Sequence, residues 1–166
     1  MQIEIDSNRF SDIREIAEKT WPVAYGHILS SEQLRYMLDL FYSLESMQEQ
    51  AEIHQHRFLL ALHANVAIGF ASFSSIPNVH HQFRLHKLYV LPEHQGTGVG
   101  KRILDHIVGF INASHAVSLE LNVNRYNNAK QFYEKMGFQI VREENIDIGQ
   151  GYFMNDYVME KIIPSV

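Results

Sequence analysis

The sequence predicts an α/β domain with a mixed sheet, and three observations carry that prediction. Apolar residues recur at helical spacing through the first fifty-odd positions. Runs rich in β-branched and aromatic residues, separated by turn signals, then take over. From residue 98 onward helical and strand patterns alternate to the end.

The elements follow in order. Met1-Gln2-Ile3-Glu4-Ile5-Asp6 reads as a first strand, and its acid stands where a signal peptide would carry base, so export is not expected. Residues 8–26 place Phe10, Ile13, Ile16, Ala17 and Trp21 near helical spacing. Ser30 or Ser31 is an N-cap candidate ahead of Leu34, Met37, Leu38 and Phe41, and a further helix is expected over residues 43–55. Residues 57–63 and 66–74 are two strands joined at Ala64-Asn65 as a hairpin, and residues 83–90 form a third, closed by Pro92. Residues 98–112 carry Val99, Ile103, Leu104, Ile107, Val108 and Ile111 with helical period. Residues 117–123 alternate as a half-buried strand, and residues 127–136 are helical, ending at Gly137. Residues 138–143 and 152–162 are the last strands, with Ile148-Gly149-Gln150-Gly151 between them.

Composition narrows the function. A chain of 166 residues suffices for one well-cored domain, and with no linker or repeat in view residues 1–166 are read as a single domain. No apolar run reaches the about 18 residues of a membrane span, so no membrane partner is expected and the cytoplasm is the default address. Cysteine is absent, which rules out disulfides, thiolate-ligated zinc and any acyl-cysteine intermediate. The net charge of −5, without a basic block interleaved with aromatics, argues against nucleic acid and suits a cationic partner such as an amine. Ten histidines raise the question of a metal, but the pairs His54/His56 and His80/His81 lack the i, i+4 spacing around a glutamate, so no metal is expected and solvated histidines account for them.

The informative stretch is His86-Lys87-Leu88-Tyr89-Val90-Leu91-Pro92-Glu93-His94-Gln95-Gly96-Thr97-Gly98-Val99-Gly100-Lys101-Arg102, a strand running into a glycine-rich loop that opens a long helix. Glycines at 96, 98 and 100 allow close backbone approach, and the amides of a helix N-terminus favour an anion, with Lys101 and Arg102 alongside. The loop therefore reads as a phosphate or pyrophosphate cradle. A Walker loop is excluded by Gln95 and Arg102, and a dinucleotide fingerprint by Lys101 where glycine is needed. A purely structural glycine turn capping the helix is the alternative.

What remains, Gln95-x-x-Gly98-x-Gly100, resembles the acetyl-CoA loop of the GNAT superfamily, Gln/Arg-x-x-Gly-x-Gly/Ala. Asn127-x-Ala129-x-x-Phe132-Tyr133-x-x-x-Gly137-Phe138, about 30 residues on, is similar to that family's following helix and turn. The match covers residues 83–163, and the N-terminal half agrees in architecture alone. The resemblance implies a mixed, mostly antiparallel sheet of six to seven strands flanked by about four helices, with residues 83–138 as the acetyl-CoA-binding core. The stretch from Ile148 to Tyr157 resembles a branch that includes polyamine acetyltransferases.

The resemblance further implies direct attack of an amine on the thioester, in keeping with the missing cysteine. It places the pantetheine arm along Leu88, Tyr89 and Val90, with the Val90 amide polarising the carbonyl, and the pyrophosphate on the amides of Gln95, Gly96, Thr97, Gly98, Val99, Gly100 and Lys101. Asn127 would contact acetyl-CoA from the other side, and Tyr133 would protonate the leaving thiolate, whose ordinary pKa is about 8.5. His86 and Glu120, on the two strands expected to part at the site, are candidate bases, and each is equally well read as a structural polar residue. Tyr25 and His27, from helices that in this family shape the acceptor site, and Asp156 are candidate contacts for the amine. The expected activity is acetyl transfer to a primary amine of a small molecule. Acetylation of a protein N-terminus or lysine, and a non-catalytic CoA-binding sensor, are the alternatives. A homodimer through the helices or a C-terminal strand is a family-level expectation.

Overall fold

A computed structural model describes residues 1–164; Ser165 and Val166 lie outside the described residues. The elements run β1 (Gln2–Ile5), α1 (Phe10–Tyr25), α2 (Ser31–Tyr42), α3 (Leu44–Glu52), β2 (Arg57–His63), β3 (Val66–Ser75), β4 (Gln82–Val90), α4 (Val99–Asn112), β5 (Ser118–Asn124), α5 (Ala129–Lys135), β6 (Gln139–Gly149) and β7 (Tyr152–Ile162). The seven strands hydrogen-bond in the order β1-β2-β3-β4-β5-β7-β6. This is a mixed α/β fold, as expected; the pairings β1–β2, β2–β3, β5–β7 and β6–β7 are antiparallel and β4–β5 is parallel. Five helices, rather than about four, accompany the sheet.

The chain forms two units, one of Met1–Ser74 with His86–Ile107, the other of Ser75–Leu85 with the chain from Val108 onward. Both β4 and α4 contribute residues to each.

In the first unit side-chain caps start two helices, the first of them at the expected Ser30. The Ser30 hydroxyl accepts from the Gln33 amide at 3.1 Å and starts α2, and Ser43 does the same for α3 through the Ser46 amide. The β2–β3 hairpin turns at Ala64 and Asn65, with φ of 48° and 64°, between the paired residues His63 and Val66. Two consecutive left-handed residues are what a two-residue turn needs to match the strand twist. Phe58 to Leu62 are all buried, so β2 is covered on both sides, and Ile13, Ile16, Ala17, Met37, Tyr42 and Met47 supply the helical share of that core. Ring contacts tie the layers, Phe10 to Phe58 at 5.3 Å and Tyr42 to Phe70 at 5.9 Å.

In the second unit β4 pairs β5 in parallel over Gln82↔Ser118 to Leu85↔Leu121. Helix α5 ends where glycine is required: Gly137 has φ +89°, the Phe138 amide reaches back to the Tyr133 carbonyl at 3.0 Å, and a Cβ would come within 2.8 Å of Lys161 Nζ. Strand β6 corrects an expectation. Its polar run Arg142-Glu143-Glu144-Asn145 hides the strand pattern, yet backbone pairing with β7 carries it beyond Glu143 to Gly149. Residues 139–143 are exposed without alternation, and half-buried Glu144, Ile146 and Ile148 alternate with exposed neighbours only from the end of that run, so pairing with β7 rather than burial carries the strand through it.

Candidate active site

The first unit contains the strand–loop–helix segment. The Leu91 amide bonds to the Ile68 carbonyl of β3 at 2.9 Å, and neighbouring amides of an extended chain point to alternate sides, which directs the Val90 amide away from β3. The Val90 carbonyl accepts from Gln95 Nε2 at 3.0 Å, so the Gln95 side chain folds back and ties the loop to the strand end. Thr97 Oγ1 donates to the His94 carbonyl at 2.6 Å. Gly96 and Gly98 have φ of +74° and +86°, and a Cβ on either would meet no heavy atom within 4 Å. The backbone is therefore strained for any side chain and open beside it, the combination that suits a ligand lying on bare main chain. The Gly98 carbonyl accepts from the Arg102 amide at 3.0 Å, which starts α4 and leaves the amides of Val99, Gly100 and Lys101 without partners inside the helix. The Val99 side chain is buried and anchors the helix start, while Lys101 pairs with Asp105 on the exposed surface.

Along β4 the side chains diverge. Tyr89 hydrogen-bonds Tyr25 hydroxyl to hydroxyl at 2.8 Å and packs near Trp21 and Phe70, bringing Tyr25 of α1 to β4. His27, two residues on, is exposed. His86 Nε2 lies 2.8 Å from Ser74 Oγ, and its ring stacks on His56 with centroids 3.7 Å apart and planes 8° from parallel. His56 is half-buried, and burial, with help from Lys87 and His54, lowers its pKa to about 4. Lys87 is 8% exposed; its Nζ donates to Gln50 Oε1 at 2.6 Å and sits 5.5 Å from the Tyr42 ring centre. Gln50 is held in one orientation because its Nε2 donates to the Phe41 carbonyl and Ser46 Oγ, both at 3.0 Å. Burial pulls the Lys87 ammonium down to about 7.

The second unit holds the other candidates. Glu120 lies inside the β4–β5 ladder, opposite Arg84. It is 6% exposed and bonded to Arg84 and, at 3.3 Å, to Arg142. A carboxylate claimed by two guanidinium groups is a structural anchor first. Asn127 Oδ1 accepts from the Ala129 amide at 2.9 Å, closing the entry to α5. Tyr133 is buried on α5, edge-on to Phe132 at 5.2 Å and to Phe138 at 5.6 Å. Asp156 is 2% exposed, not solvent-facing as an isolated strand acid would be. Burial pushes its carboxyl up to about 6; the Asn122 hydrogen bond opposes that shift and Glu144 adds to it.

Sequence reasoning missed Lys87, Gln50, Ser74 and the pairing of His56 with His86. Lys87 carried one signal: strand alternation sets it in phase with Leu85 and Tyr89, an apolar side of β4. The His56–His86 stack carried none, since 30 residues separate the two rings. Among the described residues no group of three or more His, Cys, Asp or Glu is arranged to hold a metal ion, and no helix is long and apolar enough to cross a membrane.

A model of the acetyltransferase (GNAT) domain family matches residues 28–158. An uncharacterised N-acetyltransferase of Mycobacterium tuberculosis is 28% identical over 89% of this chain and 94% of its own. The spermidine N(1)-acetyltransferase of Thermoplasma acidophilum is 27% identical over 97% of this chain and 98% of its own. The crystal structure of the PaiA N-acetyltransferase of Thermoplasma acidophilum in complex with coenzyme A superimposes with a TM-score of 0.78 at 25% identity, covering 98% of this chain and 99% of that one. With the family matched over most of its length, this chain belongs to the GNAT acetyltransferases and is an N-acetyltransferase.

Proposed function

We propose that this chain transfers the acetyl group of acetyl-CoA directly to a primary amine of a small cationic molecule, of the polyamine or amino-compound class. The observation that carries the donor half is the cradle: two left-handed glycines with open space beside them, Gly96 and Gly98, leading into the N-terminus of α4. A diphosphate fits such a place because the backbone can approach it and the helix amides and dipole favour its charge. The acceptor half rests on likeness along nearly the whole chain to an enzyme named for spermidine.

In this reading acetyl-CoA supplies an acyl thioester. The amides of Gln95 through Lys101 hold its diphosphate, Leu88 to Val90 its pantetheine arm, and Asn127 offers a further contact through its remaining amide group. The Val90 amide, turned away from β3, donates to the carbonyl oxygen as negative charge develops there. His86 takes the proton that the acceptor ammonium must lose before nitrogen can attack, a task its side chain suits better than Glu120, whose oxygens already serve two arginines. Tyr133 donates a proton to the departing thiolate. Tyr25 and His27 from the helical side, and Asp156 as a buried carboxylate, are the acceptor-side contacts.

The test is thiol release from acetyl-CoA against polyamines, amino acids, amino sugars and short peptides. Amine-dependent release with the polyamines establishes the proposal. Release confined to peptides would replace it with protein acetylation, and CoA binding without release by any amine would favour a sensor.

A further inference from the structure

Three histidine rings, a buried lysine and a serine hydroxyl crowd the middle of β4 in the first unit, more polar chemistry than a cradle and a base require. His86 is gripped from two directions. Ser74 Oγ meets its Nε2 at 2.8 Å, and His56 covers its face with ring centroids 3.7 Å apart and the planes 8° from parallel. One contact fixes the rotation of the ring about its own axis, and the other fixes the plane in which it lies.

His56 is itself a flat, uncharged wall. Its Nδ1 is buried without a hydrogen-bond partner, and burial, Lys87 and His54 all oppose its protonation. The groups around the pair are the buried Lys87 beside His86 on β4, the exposed His54 with its ring 6.2 Å from His56, Glu49 of α3 at 3.7 Å from His54, and Arg57, which is paired to Asp6. A ring directly before β2 that leaves a nitrogen unsatisfied has a cost with no evident return for packing, since a phenyl ring would fill the same space without it. The return is to its neighbour.

We infer that His56 is a positioning residue for His86, holding that ring, together with Ser74, in the single orientation from which it accepts the proton of the acceptor ammonium. The inference rests on His86 being the base. A base that swings out of line loses the alignment on which its contribution depends, and small displacements cost large factors in rate.

The experiment compares steady-state rates of His86→Gln, His56→Ala, His56→Phe and Ser74→Ala in the full chain, with nitrogen NMR of the histidine rings. His86→Gln is expected to lower kcat about a hundredfold. His56→Ala is expected to lower kcat about tenfold with KM for acetyl-CoA unchanged, and to broaden the His86 ring signals as tautomers and rotamers exchange. His56→Phe, which keeps a flat uncharged face, should restore kcat to within about twofold and sharpen those signals. Ser74→Ala should resemble His56→Ala. If His86→Gln lowers kcat but His56→Ala does not, or if His56→Phe is no better than His56→Ala, positioning by the stack is overturned while the base assignment stands. If His86→Gln leaves kcat unchanged, the base assignment itself falls and this inference falls with it.

Discussion

The two units of this protein place their chemistry on different parts of the chain. In the first, the segment from Leu88 to Arg102, proposed to hold the donor, offers main chain: left-handed glycines, an amide turned away from β3, and the open end of α4. In the second, β5, β6 and β7 gather side-chain charge, with Glu120 between Arg84 and Arg142, and Asp156 beside Asn122 and Glu144. Main-chain chemistry depends on local conformation, so it is written in a short run of residues. Side-chain clusters depend on strand register, which pairs positions far apart in sequence.

That contrast breaks most sharply at Gly98. Gly98→Glu puts a carboxylate and a strained φ where diphosphate is proposed to lie, and acetyl-CoA binding measured by calorimetry should fall about a hundredfold or more. Binding that survives would remove the cradle from the donor site. Tyr133→Phe sharpens the comparison from the other unit, since it deletes one hydroxyl and leaves the main-chain cradle untouched. Turnover should drop about tenfold to a hundredfold with donor affinity nearly intact; a turnover equal to the parent's would strip Tyr133 of the role of acid.

Buried charge distinguishes the units by pH. Lys87 has a folded pKa of about 7, below its unfolded value, so between those values the unfolded chain binds more protons and stability rises with pH. Asp156 has a folded pKa of about 6, above its unfolded value, so the folded chain binds more protons over roughly pH 4–6 and stability falls as pH rises. Each slope is at most about 1.4 kcal/mol per pH unit. Urea unfolding of Lys87→Met should lose the alkaline slope alone, and Asp156→Asn the acidic one alone; both slopes persisting in both variants would contradict these environments. The smallest effect is expected at Glu120. Glu120→Gln leaves Arg84 and Arg142 facing a neutral amide, and because both arginines are partly exposed the loss should be about 1–2 kcal/mol in unfolding free energy. A drop in turnover beyond what that loss explains would return Glu120 to the list of bases.

Much of the molecule was legible before any coordinates. The cap at Ser30, the turn at Ala64-Asn65, the glycine loop and the stop at Gly137 are local signals, and the structure has them at or next to the expected positions. Strand β6 was read only as far as Glu143, because the polar run Arg142-Glu143-Glu144-Asn145 interrupts its apolar pattern, which resumes at Ile146 and Ile148. Glu120 was read from its strand but not from its partners, and nothing in residues 84, 120 and 142 as a string announces a triad. The His56–His86 stack was invisible for the same reason, as was the burial of Lys87 against Gln50 and Tyr42.

By itself the sequence determined what depends on neighbours in the chain: the kind and order of nearly every element, the glycine loop, the absence of a thiol nucleophile and the family. Only the tertiary structure decided which polar side chains are buried, which oxygens are already claimed, and which ring holds another in place. The physical reason is range. Backbone conformation is set within a few residues by steric and capping interactions, whereas the environment of a charge is set by whatever strands and helices fold against it.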